Sequence, residues 1–414
     1  MTPASGNIRG SLVVFADDWG RHPSSCQHLV RRLLPQWQTV WVNTIGMRQP
    51  RLDLATVRRG LEKLRDWSPK RTESPETQPE NLTVLNPRMW PSFNSATARR
   101  LNRSLLVRQL RKPVGSLPAP VVAITTLPIV SDLVGRLPID RWIYYCVDDF
   151  TEWPGLSHDA LRRMERDLVQ RVHMTVAVSE TLRTKLKNWG IDSQLLTHGI
   201  DLEHWQNANI DPVSASGFCG AACGAEGPLK AESNDPMNLD GLERPLVVFW
   251  GLIDCRMDID YLRKLGNDMQ SGTILLVGPE SSPDPRIASV PRLVRMPAVP
   301  YDKLPQLARA ASVLIMPYAD LPVTRAIQPL KLKEYLATGK PTVVRDLPAV
   351  REWSDCLDCA DTAEAFSNAV RQRAAQGIDD SQRRARGRLL DESWASKAAT
   401  LEQWIERREP ILAS

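Results

Sequence analysis

QPLKLKEYLATGKPTVV, from Gln328 to Val344, reads as one mechanical unit: a proline-opened helix, a glycine stop and a buried strand. Pro329 has no N–H to lose at a helix start, and Leu332, Tyr335 and Leu336 repeat at the i, i+3, i+4 spacing of one helical face. Gly339 and Pro341 then end the helix before the run Thr342-Val343-Val344. The N–H groups of a first turn lack partners inside the helix, and the helix dipole places about half a positive charge there, so an anion is their natural ligand. Lys331 adds a full charge in that turn, and Glu334, one turn later, offers a carboxylate to the two hydroxyls of a ribose. Leu330, Lys331 and Glu334 are therefore candidates to cradle a nucleoside diphosphate. The same spacing fits an ordinary crossover helix whose Lys331 and Glu334 pair on its surface, and the residues alone leave both readings open.

The rest of the 414-residue chain is long enough for two domains of ordinary size. There is no run of eighteen or more apolar residues, and MTPASGNIRGSLVVF has no signal-peptide core before its first strand, which predicts a cytoplasmic chain that neither spans a membrane nor is secreted. The seven cysteines are an odd count. Cys219/Cys223 and Cys356/Cys359 lack the second pair or the histidines of a zinc site, so reduced thiols and no metal are expected. The net charge of +5 is the sum of +8 over residues 1–207 and −3 over the remainder. A basic first half suits an acidic substrate or an anionic membrane surface; nucleic acid is excluded by the lack of basic runs interleaved with aromatics.

Strand and helix signals alternate through the first half, as in an α/β domain. Ser11–Ala16 is a predicted strand, and the loop after it, DDWGRHPSS, is not a dinucleotide fingerprint. That loop is polar and sits at the carboxyl end of a strand, where open α/β sheets bind ligands, which makes Asp17, Arg21, His22 and Ser25 acceptor-side candidates. A helix is predicted over Leu54–Trp67, followed by the unpackable loop SPKRTESPETQPE. The strand Trp142–Val147 ends in Asp148-Asp149, two carboxylates of the kind that can take a proton from an acceptor hydroxyl. Neighbouring strand residues face opposite ways, so one of the two is expected to serve, Asp149 ahead of Asp148. Thr97–Lys112, TARRLNRSLLVRQLRK, has no acidic residue; Ala98, Leu101 and Leu105 with Leu106 and Leu110 form a predicted apolar face, and Arg100, Arg103, Arg108 and Arg111 a basic edge. Such a helix can dock on an anionic membrane or pack on its own sheet. In the second half Leu246–Trp250 is a strand followed at once by Gly251, which lets a ligand approach the backbone, with Arg256 close behind as a phosphate ligand or as a partner of Asp254 or Asp258. Thr324-Arg325 lies just upstream of the cradle and can meet a sugar or diphosphate.

Together these stretches resemble nucleotide-sugar glycosyltransferases of the two-Rossmann-domain type, the GT-B fold, and particularly the family 4-like bacterial enzymes of surface-polysaccharide assembly. In that family a P-L-K-x-x-E-Y-L-A-x-G-K-P-V-V segment lies in the C-terminal domain and its Glu binds the donor ribose. Pro329, Leu330, Lys331, Glu334, Tyr335, Leu336, Ala337, Gly339, Lys340, Pro341 and Val343 match it, and Val176, Val178, Ser179, His198, Gly199 and Asp201 match the V-x-V-S and H/N-G-V-D pattern of the first domain. One departure stands out: many members carry another Glu eight residues before the ribose Glu, where this chain has Ala326. The resemblance implies an acceptor domain over 1–205, a flexible linker over 206–245, a nucleotide-sugar domain over 246–392 and a final helix over 393–414 that crosses back to the first domain. It further implies that the loop at Gly251 and Arg256 faces the diphosphate, that Pro297-Ala298-Val299 holds the base, and that the product keeps the donor's anomeric configuration, an implication that Ala326 weakens. With no Asp-x-Asp motif at the donor half, neither metal nor cofactor is expected. The function implied is sugar transfer from a nucleotide sugar to an acceptor hydroxyl in polysaccharide or glycolipid synthesis, and the basic stretch Thr97–Lys112 points separately to a lipid-linked acceptor. A nucleotide-sugar epimerase and a non-catalytic nucleotide-sugar-binding subunit stay open as alternatives on the same fold.

Overall fold

The computed structural model describes residues 8–20, 24–44, 79–153, 155–206 and 239–407. Arg21, His22, the predicted helix Leu54–Trp67, Cys219/Cys223 and most of the 206–245 segment lie outside the described residues. The chain divides into two compact units, one of residues 1–198 and 395–414, the other of residues 199–394.

The first unit is built on a seven-stranded sheet in the order β3-β2-β1-β4-β5-β6-β7. Its strands are β1 (Gly10–Ala16), β2 (Trp37–Asn43), β3 (Leu82–Leu85), β4 (Val121–Thr125), β5 (Arg141–Cys146), β6 (Met174–Ala177) and β7 (Gln194–Leu195), and every neighbouring pair is parallel. Parallel strands covered on both faces need apolar side chains on both, and β1, β4 and β5 are buried along their whole length. The crossovers carry α1 (Ser25–Leu33), α2 (Ala96–Gly115), α3 (His158–Val169) and α4 (Glu180–Lys187). Ser24, Ser95 and Ser179 cap α1, α2 and α4, each side chain accepting from the N–H three residues on. Ser179 of the V-x-V-S pattern is thus a helix cap.

Helix α2 corrects one expectation. Its buried face is the i, i+4 row Ala98, Asn102, Leu106, Leu110 and Val114, while Leu101 is 43% exposed and Leu105 only partly covered. The cause is tertiary: Arg99 reaches Asp132 through two bonds of 2.9 Å and Asp167 at 3.1 Å, and Asn102 donates to the carbonyls of Trp90 and Ser92, each at 3.0 Å. These bonds fix the helix's rotation, so Leu106 and Leu110 are spent on the protein core while Leu101 faces outward.

The second unit repeats the plan with α5 (Leu202–Gln206) leading into a six-stranded sheet. Its strands, in sheet order, are β12 (Leu293–Met296), β10 (Thr273–Val277), β8 (Leu246–Trp250), β13 (Val313–Met316), β14 (Thr342–Arg345) and β15 (Asp358–Ala360), all pairs parallel. A short pair, β9 (Ile253–Asp254) and β11 (Glu280–Ser281), lies off the main sheet. The helices are α6 (Ile259–Asp268), α7 (Leu304–Ala310), α8 (Pro322–Ala326), α9 (Leu330–Ala337), α10 (Ala363–Gln376) and α11 (Asp380–Ala385). A 3-10 turn over Tyr301–Lys303 runs into α7, with Pro305 in the first turn of that helix. Helix α9 runs from an extended Pro329 to Gly339, whose φ of +73° turns the chain into β14. The last helix, α12 (Trp394–Glu406), packs with the first unit: Leu401, Trp404 and Ile405 are buried, Trp37 Nε1 donates to Glu402 at 2.8 Å, and Arg141 donates to the carbonyl of Trp404 at 2.9 Å.

Candidate active site

In the second unit the sheet's winding reverses between β8 and β13, because β10 continues from one side of β8 while β13 starts on the other. Crevices at such switch points, at the carboxyl ends of the strands, are where open α/β sheets take ligands. Gly251 leaves β8 there, Tyr318 lies two residues past β13, and the first turn of α9 brings Lys331 to both. Lys331 Nζ donates to the Tyr318 hydroxyl at 2.8 Å and stands 4.3 Å from the ring centre of Phe249 and 5.3 Å from that of Tyr318. Aromatic faces stabilise a cation without cancelling its charge as a carboxylate would. Gly251 has φ +135°, and a Cβ there would fall 2.1 Å from Lys331 Nζ. Gly278, φ +152°, backs it, since a Cβ at 278 would meet the Gly251 carbonyl at 1.9 Å. The surface pairing of Lys331 with Glu334 is therefore replaced by a built seat for the ammonium.

Glu334 is partly exposed as a residue, yet its carboxyl is desolvated. Burial pushes it up from 4.5 to about 7, against the bond it accepts from Trp250 Nε1 at 3.4 Å and the nearby Lys331 charge. Tyr335 holds this face of α9 against β8: its hydroxyl accepts from the Trp250 N–H at 3.1 Å, and its ring meets the Trp250 indole edge-on at 4.3 Å. Sequence reading missed Phe249, Trp250 and Tyr318. Their signal was an aromatic residue at or just beyond the carboxyl end of each strand flanking the switch point.

The other donor-side candidates are placed differently. Arg256 is buried, its Nε bonded to both oxygens of Asp254 at 2.9 and 3.0 Å, with its guanidinium 5.5 Å from the Tyr318 ring centre. It packs over the Tyr318 ring that Lys331 also approaches. Arg325 is exposed on α8 and bidentate to Asp320 at 2.5 and 2.7 Å. Leu330 is the partly covered first residue of α9, and Ala326 is buried at the end of α8.

In the first unit, Asp17 is exposed where β1 ends, and its carbonyl accepts from Trp41 Nε1 at 3.0 Å. Gln27 ties the same loop to α1 by accepting from the Gly20 N–H at 3.1 Å, while Ser25 is buried at the start of α1. Asp148 is partly exposed after β5. Asp149 is buried, and its Oδ1 accepts from Lys185 Nζ at 2.8 Å, the Thr151 hydroxyl at 2.6 Å and the Thr151 N–H at 3.1 Å. Lys185 also reaches Glu165 at 2.8 Å, and Glu165 accepts from the Tyr144 hydroxyl at 2.9 Å. Burial drives Glu165 up, and the Lys185 charge opposes that. No local sequence pattern announces this chain of four groups, because its members come from separate elements.

Two units of parallel sheet and crossover helix define the GT-B fold, and solved structures agree over nearly the whole chain. Sucrose-phosphate synthase from Thermosynechococcus elongatus matches with a TM-score of 0.66 at 14% identity, over 96% of this chain and 98% of that one. HepE of Anabaena, solved in complex with UDP-glucose, gives 0.62 at 12% over 96% and 99%. The E. coli trehalose-6-phosphate protein bound with UDP-2-fluoro glucose gives 0.62 at 12% over 97% and 100%. Among curated proteins, Bacillus subtilis (strain 168) TuaH, named as a candidate teichuronic acid biosynthesis glycosyltransferase, is 32% identical over 124 residues, 28% of this chain. The match spans about a third of that relative, 31% of its length. No family model matches the chain.

The Glu334 carboxyl sets a pH signature. Between about 4.5 and about 7 the folded chain holds a proton that the unfolded chain has released, so this group's contribution to stability is full below 4.5 and is lost as pH rises through about 7. Glu334→Gln cannot ionise, so its melting temperature relative to wild type should climb across that window. Parallel melting curves for the two proteins from pH 4.5 to 8 would contradict the assignment.

Proposed function

We propose that the chain is a cytoplasmic glycosyltransferase that moves a sugar from a nucleoside-diphosphate sugar to an acceptor hydroxyl during synthesis of a cell-surface polysaccharide or glycolipid. The observation that carries this reading is the Lys331 ammonium, held by Tyr318 and Phe249 over a side-chain-free Gly251 at the switch point. As the bond from the anomeric carbon to the diphosphate breaks, negative charge grows on the departing oxygens. A preorganised cation and the open N–H groups of α9 oppose that charge without reorganising, an effect worth several kcal/mol in a water-poor site. Glu334, once ionised, accepts from the ribose hydroxyls. UDP is the first nucleotide to test, since HepE and the E. coli trehalose-6-phosphate protein were solved with UDP sugars, and TuaH supports the surface-polysaccharide setting.

On the acceptor side, three bonds to Asp149 Oδ1 make it an anchor for its loop. We assign the proton-accepting role to its partly exposed neighbour Asp148, reversing the preference drawn from sequence. The acceptor oxygen then bonds to the anomeric carbon as its proton leaves to Asp148.

Lys331→Ala and Glu334→Ala should each weaken UDP binding more than tenfold by titration calorimetry, since a hydrogen bond to a charged group is worth about 1.5–3 kcal/mol. Asp148→Asn should bind UDP as wild type does but turn over slowly when UDP sugars and lipid extracts are supplied. Unchanged UDP affinity in both cradle variants would refute the site. Tight donor binding with no consumption by wild type would favour a non-catalytic subunit, and an altered sugar formed without acceptor would favour an epimerase.

The acceptor we propose is lipid-linked, reached from the inner membrane face through α2. Arg100, Arg108, Arg111 and Lys112 are exposed there, while Leu106 and Leu110 are buried, so the contact rests on charge. Each basic residue near an anionic surface contributes about 1 kcal/mol. Wild type should therefore sediment with anionic vesicles at low salt, and Arg100→Gln/Arg108→Gln/Arg111→Gln should not. Equal sedimentation of the two would leave a soluble acceptor as the better reading.

A further inference from the structure

The second unit has another concavity, of about 500 Å³, at the opposite end of its sheet from Lys331. Arg244 and Pro245 lead into β8, Ser312 into β13, and Lys340 and Pro341 into β14, so the walls come from the amino ends of the strands. Arg244, Arg309, Lys340, Arg373 and Arg383 line it, and among the described residues no acidic side chain does. Arg373 and Arg383 have carboxylate partners. Arg373 holds Asp358 at 2.6 Å and Asp379 at 3.0 Å, and Arg383 lies 3.9 Å from Asp380.

Arg244 and Lys340 are bonded otherwise. Lys340 Nζ donates to the Arg309 carbonyl at 2.8 Å, and Arg244 donates to the Ala310 carbonyl, so these two cations lean on neutral main chain. Burial, with the Arg244 charge, lowers the Lys340 ammonium from the usual lysine range. Behind the wall, Arg386 is buried and donates to the Lys340 carbonyl at 2.8 Å, adding another charge. Like charges gathered in a concave, partly desolvated place repel one another and concentrate counter-ions. Guanidinium forks and a lysine point charge together match phosphate oxygens, and the volume suits a small molecule.

We propose that this cavity is a second anion site, distinct from the Lys331 seat, that takes a compact metabolite carrying two or more phosphate charges. Binding there would relieve the repulsion between Arg244 and Lys340, and it needs no part of the sugar-transfer site.

Inorganic pyrophosphate is the probe, titrated calorimetrically into the full chain at low ionic strength. Lys331→Gln serves as the background, because pyrophosphate also fits the donor seat. Binding should persist in that background and weaken about tenfold or more when Arg244→Gln and Lys340→Gln are added, as expected for lost charge-assisted bonds. Arg309→Gln, at an exposed position, gives a variant with little risk to folding and should weaken binding in the same direction. Sulfate at matched ionic strength should bind at least tenfold more weakly than pyrophosphate. Three results would each overturn the proposal: no pyrophosphate binding in the Lys331→Gln background, unchanged affinity in both the Arg309→Gln chain and the Arg244→Gln/Lys340→Gln chain, or equal binding of sulfate and pyrophosphate, which would mark a diffuse basic surface.

Discussion

The seating of one ammonium against one bare backbone position governs the second unit's candidate site. With any side chain at residue 251, Lys331 Nζ would lose its place, because a Cβ there would lie 2.1 Å from it. That constraint spreads outward. Gly251 can take its φ of +135° only beside Gly278, whose own missing Cβ leaves room for the Gly251 carbonyl. Tyr318 must present its hydroxyl at 2.8 Å, and Arg256, fixed by Asp254, packs near that ring. Aromatic and hydroxyl partners keep the charge available, whereas a carboxylate in their place would already have spent it.

The first unit handles its buried charges in the opposite manner. Asp149, Lys185 and Glu165 satisfy one another in a dry place, with Tyr144 closing the end of the chain. Removing one member of such a set leaves an uncompensated buried charge, so the set behaves as a unit and stiffens the loop after β5. Asp148, next along the chain, is partly exposed and stands outside this set.

Legibility in the sequence followed locality. Strand β8 stands where its apolar run puts it, because both faces of a parallel strand must be covered and the signal is continuous. The cradle helix α9 was legible for a similar reason, since proline, apolar spacing and glycine all lie within one short stretch. What failed to show was set by distant partners. The rotation of α2 depends on Asp132 and Asp167, far along the chain from Arg99. Asp149 looked like a free carboxylate until Lys185 arrived from α4. Arg256 had two readings within its own loop, and only folding selected Asp254.

The placement of α12 bears on the order in which the protein can be assembled. The first unit's strands leave a ribosome before the second unit's, yet Trp37 and Arg141 find Glu402 and the Trp404 carbonyl only after the whole second unit has been made. Residues 199–394, by contrast, form a continuous stretch that is complete before α12 appears. Domains commonly finish in the order of their synthesis; here the half that begins first is the last whose apolar surface can be closed, and a nascent chain must protect that surface for the length of the second unit.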